Sequence, residues 1–159
     1  MKETKKMTTT TTIYTLNWHA AQAADFAASR QSITITTMSL AQPSDAGSGS
    51  LRLYWLEMIN AKKRGVKVSL LLPRRGISPG AELTTRRAAD YASKHGIISI
   101  FAKPTQLLHA KTALIDNSIS WVGSANSTPS GLARNFEAWL RTDDPAVAKN
   151  LADFQGALQ

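Results

Sequence analysis

The residues with the clearest capacity for chemistry lie between His109 and Glu137. The stretch begins His109-Ala110-Lys111-Thr112-Ala113-Leu114-Ile115-Asp116. On an extended backbone, residues two apart share a face, so His109 and Lys111 project side by side while Ala110 turns away. An imidazole beside an ammonium suits a phosphate: the ring attacks or exchanges a proton, and the ammonium supplies fixed positive charge. After the next apolar run, Gly123-Ser124-Ala125-Asn126 adds a small backbone, a hydroxyl and an amide. Asn135-Phe136-Glu137 then supplies a carboxylate, placed on a third strand to hold the imidazole through its second nitrogen. Asp116, seven residues beyond His109, falls on the opposite strand face. It is read as securing the turn or the strand, although it belongs to the same ordered set.

Composition narrows the partners. The chain has 159 residues, with 19 Lys and Arg against 11 Asp and Glu, a formal charge of +8. Such a surplus on a small domain favours polyanions, nucleic acid first and anionic lipid second. There are no cysteines, which excludes disulfides and thiolate metal sites. His19, His95 and His109 have no zinc-ligand spacing, and no carboxylate cluster accompanies them, so neither metal nor cofactor is expected. His19 and His95 are read as surface or cap residues at helix ends. The basic MKETKKM start lacks the apolar run of about 7–15 residues that a signal peptide needs. No segment approaches a membrane span, so a cytoplasmic protein with little affinity for membranes is expected.

Several elements must position these groups. Residues 1–16 are expected to be a flexible leader, and 17–159 a single domain. Trp18 to Arg30 reads as a helix, and Ser32 to Met38, rich in β-branched residues, as a strand. Pro43 to Ser50 is loop-like, with Ser50 placed to cap a helix in which Leu51, Tyr54, Trp55, Met58 and Ile59 recur at helical spacing. Val66 to Leu72 reads as a buried strand and Pro73 to Gly80 as a basic loop; a helix over 81–95 and a strand over 97–101 follow. This alternation predicts an α/β fold with a mixed, largely parallel central sheet flanked by helices on both faces. Strands are expected over 111–115, 119–122 and 136–141, with Asp116-Asn117 as a hairpin turn. Asp144-Pro145 opens a last helix with Val147, Leu151, Phe154 and Leu158 on one stripe. Trp18, Trp55, Trp121 and Trp139 sit in apolar patterns and read as core or dimer-interface residues. Arg74, Arg75, Arg86 and Arg87 suit a rim that tracks substrate phosphates, or simply a solvated basic face.

The ordered set His109, Lys111, Asp116, Gly123, Ser124, Asn126 closely resembles the signature of the phospholipase D superfamily, position by position. The short Gly-Ser-x-Asn form with Asn-x-Glu downstream is similar to the bacterial nuclease branch, where the Glu corresponds to Glu137. The resemblance runs from about Trp18 onward, including Ala61-Lys62-Lys63-Arg64-Gly65-Val66. It implies a two-step displacement: His109 of one subunit forms a phosphohistidine, and His109 of a second subunit protonates the leaving oxygen and later activates water. Lys111 and Asn126 would hold the non-bridging oxygens. Ser124 is placed to bond Glu137 or the phosphate. A family that needs two motifs, in a chain carrying one, implies a homodimer with a shared site and no metal. The expected activity is hydrolysis of DNA or RNA phosphodiesters. The competing readings are a phospholipase D-type lipid hydrolase or transferase, disfavoured because no apolar entry surface is evident, and a catalytically idle nucleic-acid-binding dimer.

Overall fold

A computed structural model describes residues 9–45, 49–103 and 106–159. The MKETKKM start therefore lies outside the described residues. The strands are β1 (Thr11–Tyr14), β2 (Ser32–Thr36), β3 (Lys67–Leu72), β4 (Ile98–Phe101), β5 (Thr112–Ile115), β6 (Ile119–Gly123) and β7 (Trp139–Thr142). The helices are α1 (Trp18–Ala28), α2 (Gly49–Lys63), α3 (Pro79–Lys94), α4 (Pro129–Ala133) and α5 (Pro145–Ala157). All seven strands form one sheet in the order β1-β7-β6-β5-β2-β3-β4.

The sheet is mixed, but not largely parallel. Only β2–β3 and β3–β4 pair in parallel, whereas β1–β7, β7–β6, β6–β5 and β5–β2 are antiparallel. The reason lies between β4 and β5. Parallel pairing needs a crossover that carries the chain back to the opposite edge of the sheet. Where described, the link from Ala102 to Lys111 contains no helix or strand, and β5 starts at the edge where β4 ends. It consequently runs against β2, with Thr36 opposite Thr112 and Ile33 opposite Ile115.

Side-chain alternation divides the interior. Ile33, Ile35, Ala113, Ile115 and Trp121 face the large core shared with α1, α2 and α3. Leu114 faces the other way, onto Ala148 and Leu151 of α5. Helices thus cover both faces. Trp55, Trp121, Tyr54 and Phe26 are the bulkiest of the completely buried side chains, and the nearly buried Trp18 and Trp139 stack with centroids 4.7 Å apart, so all four tryptophans belong to the core. On the α5 side the buried residues are Ala148, Leu151 and Gln155, so of the expected stripe only Leu151 is fully buried. Gln155 Nε2 donates to the Thr34 carbonyl and to Thr36 and Thr112 hydroxyls at 3.2–3.3 Å, which satisfies a polar group in the interior. Phe154 is left exposed.

Two further expectations change. Thr11–Tyr14, assigned to the leader, is the edge strand β1, paired in register with Thr142 to Trp139. Ser50 lies within the first turn of α2 instead of capping it. Asp116 and Asn117 do form the β5–β6 turn, both at positive φ (52° and 50°), as a tight hairpin between twisted strands requires.

Candidate active site

The antiparallel return of β5 places several element ends at one edge of the sheet. The start of β5, the end of β6, the start of β7 and the ends of β2, β3 and β4 all meet there. His109, Lys111, Ser124, Asn126, Glu137 and the Arg74–Arg75 loop are attached to those ends. Asp116 is at the other end of β5. Its Oδ1 accepts from the Gln31 and Ser32 amides at 2.8 and 2.9 Å, and its Oδ2 from Arg30 at 2.9 Å. It clamps the entry to β2 and stands apart from His109 and Lys111. Burial opposes its ionisation, but the three amide donors and the Arg30 charge outweigh this and hold its carboxyl below the ordinary value.

His109 and Lys111 precede β5 proper, yet the ladder already includes Lys111, whose carbonyl accepts from Gly123 N at 3.0 Å. The imidazole is exposed and the lysine is buried. Lys111 Nζ donates to the His109 carbonyl at 2.6 Å and lies 3.2 Å from both ring nitrogens. The lone-pair directions of those nitrogens diverge, so one ammonium equidistant from both cannot bond linearly to either. The ring is held against a cation with its in-plane directions still available. Burial pushes the Lys111 ammonium below its usual pKa, and the negative charge of Glu137 partly restores it.

Glu137 precedes β7 instead of lying on it. It accepts from the Ser124 hydroxyl and from Asn135 Nδ2, the latter at 3.1 Å. These hydroxyl and amide bonds hold the carboxylate, in place of the expected bond to the imidazole. The Ser124 hydroxyl also accepts from Ala138 N at 3.1 Å, so the end of β6 and the approach to β7 are tied together. The glycine before it has a steric reason: a Cβ on Gly123 would fall 2.2 Å from the Trp139 ring. Asn126 is held between buried Ala125 and Ser127, which bonds back to Thr37 and Ala41. The Asn126 amide oxygen is buried without a partner. Because rotation of the amide exchanges its two ends, the group is ready to donate to, or accept from, a polar ligand.

One surrounding was not legible beforehand. A groove of about 480 Å³ beside His109 is lined by Leu107, Leu108, Ala110, Phe154 and Leu158 among others, an apolar surface that the sequence pattern does not reveal. A basic cleft contains Arg74, Arg75 and Arg86. His19 lines a smaller cleft with Asn135, and burial lowers its pKa, favouring the neutral ring.

A histidine, a buried lysine, an amide and a carboxylate gathered at one edge of this sheet define a phosphodiesterase-like α/β domain. The chain belongs to the phospholipase D superfamily: the family described as cardiolipin synthase, PLD-like domain, matches residues 23–157. A cardiolipin synthase A of Pseudomonas fluorescens is 35% identical over 111 residues, 69% of this chain and 21% of that protein. The chain thus spans about a fifth of the length of such relatives. The fold is that of a phospholipase D family member, Nuc from Salmonella typhimurium, with a TM-score of 0.77 and 19% identity over 95% of this chain and 94% of that one. NucT from Helicobacter pylori is similar at a TM-score of 0.69 and 17% identity, covering 95% and 96%.

Proposed function

We propose that the protein hydrolyses nucleic-acid phosphodiester bonds without a metal, through a phosphohistidine, in a site completed by a second copy of the chain. The observation that carries this reading is the exposed His109 ring set on the buried Lys111 ammonium, at the same sheet edge as the unpartnered amide oxygen of Asn126. A ring nitrogen of His109 attacks phosphorus as the bond to the leaving oxygen breaks, and that oxygen takes a proton from His109 of the second subunit. The same second ring then removes a proton from water, which attacks phosphorus and releases His109. Lys111 and Asn126 of both subunits stabilise the charge on the non-bridging oxygens; removing one such donor costs about 2.7–4 kcal/mol of transition-state stabilisation.

Glu137, held by Ser124 and Asn135, supports Lys111 electrostatically. The surface next to Glu137 suits a second copy. Phe136 is fully exposed there and shares a shallow cleft with Leu16, Ser124 and Glu137, an apolar site that pairing would cover. The net charge of +8 favours a polyanionic substrate.

A second reading has its own observation. The apolar groove beside His109 suits an acyl chain, and relatives bear the name cardiolipin synthase. Cleavage of labelled DNA, RNA and phosphatidylglycerol vesicles in excess EDTA, beside His109→Ala, separates the two. Nucleic-acid cleavage lost in the variant supports the first reading; turnover confined to the vesicles contradicts it and supports the second.

A further inference from the structure

The Arg74–Arg75 loop leaves β3 at the same sheet edge as His109 and opens a cleft of about 500 Å³ lined by Arg74, Arg75, Gly76, Glu82, Arg86 and Phe101. The charges in it are not equivalent. Arg86 Nε and Nη2 both donate to Glu82 Oε1, at 3.0 and 2.8 Å, and the guanidinium lies 5.8 Å from the Phe101 ring centroid. Among the described residues, no ion pair engages Arg74 or Arg75, so their charges are available to a ligand. The cleft also adjoins the reacting groups. Gly76 has φ of 89°, and a Cβ there would come within 3.0 Å of Leu107 Cδ1. Leu107 also lines the groove that contains His109. The basic cleft and that groove are therefore neighbours, joined through Gly76 and Leu107.

We propose that this cleft is a nucleotide subsite beside the reacting phosphodiester. Arg74 and Arg75 hold a neighbouring phosphate of a single-stranded nucleic acid, and the Arg86–Phe101 pair is the floor on which that nucleotide's unpaired base stacks. The strand preference follows from the floor, since a ring at the bottom of a cleft meets a base face only when the base has left a duplex. The inference rests on the nucleic-acid reading of the site and names the form of its substrate.

The test is anisotropy of a labelled single-stranded oligonucleotide, and of its duplex, titrated over a salt series with the full chain carrying His109→Ala to prevent turnover. Adding Arg74→Gln and Arg75→Gln should reduce the slope of log affinity against log salt by about 1.4, at roughly 0.7 per lost single-strand contact. The corresponding Lys substitutions should keep the slope. Phe101→Leu, which retains apolar contact with the core, should weaken single-strand binding about tenfold and leave the duplex unchanged. Thermal melting confirms that each variant is folded. An unchanged slope, or equal weakening of both strand forms by Phe101→Leu, overturns the subsite. Cleavage of the same oligonucleotide in EDTA by protein with His109 intact tests the broader reading separately. Arginine-dependent binding without cleavage leaves the subsite standing and removes the nuclease; cleavage with an unchanged slope does the reverse.

Discussion

Lys111 is a cation that burial disfavours and Glu137 supports, and the balance falls on the side of burial. If its ammonium stabilises the transition state, the alkaline limb of the pH–rate profile begins below the usual lysine value of 10.5. Glu137→Gln removes the opposing influence, so the limb should move to still lower pH; a limb that stays or rises contradicts the assignment. Asp116 works through stability. Asp116→Ala removes three backbone N–H bonds to a charged acceptor, two of them open to replacement by water, and should cost about 1–3 kcal/mol in urea unfolding at neutral pH. Because its folded pKa is lowered, this contribution is complete above the ordinary value of 3.8 and disappears as pH falls through the lowered one. The two proteins should therefore converge in stability in acid. The sequence carried both readings unequally: the strand-face argument separated Asp116 from His109, whereas the partner of Glu137 depends on how β6 and β7 meet, which no local pattern encodes.

At the scale of elements, the sequence was legible where apolar periodicity or a capping pair is strong. In α2 the expected Leu51, Tyr54, Trp55 and Met58 are buried and Ile59 is partly buried against the core. The Asp144 cap and Pro145 start of α5 also appear, with Ala146 N donating to Asp144 Oδ1 at 2.8 Å. Its inward face was legible only at Leu151, because Gln155 is polar and is buried only through partners on β2 and β5, distant in sequence. Strand β1 escaped notice for a similar reason: a threonine-rich segment resembles a leader until β7 provides its partner. The direction of β5 depended on the absence of a crossover helix. The β6–β7 junction gives an element-scale prediction. Gly123→Ala places a methyl group against the Trp139 ring, and should destabilise by about 1–3 kcal/mol in chemical denaturation while displacing Ser124 and lowering activity. Unchanged stability would show that Trp139 moves aside readily.

For the whole molecule, the proposed site shared between two copies predicts that activity belongs to a species of about twice the 17.2 kDa chain mass in light scattering. The exposed Phe136 makes that face testable: Phe136→Asp should shift the mass toward the monomer and abolish turnover while the fold persists. A fully active monomer would remove the shared site. The central claim, however, is the covalent step at His109, and it can be observed directly. Protein is mixed with a phosphate-labelled oligonucleotide in excess EDTA, quenched during turnover, and digested to locate the label. An acid-labile, alkali-stable label is expected on His109, lost in His109→Ala together with cleavage. Cleavage in EDTA that survives His109→Ala, or label recovered on another residue, would contradict it.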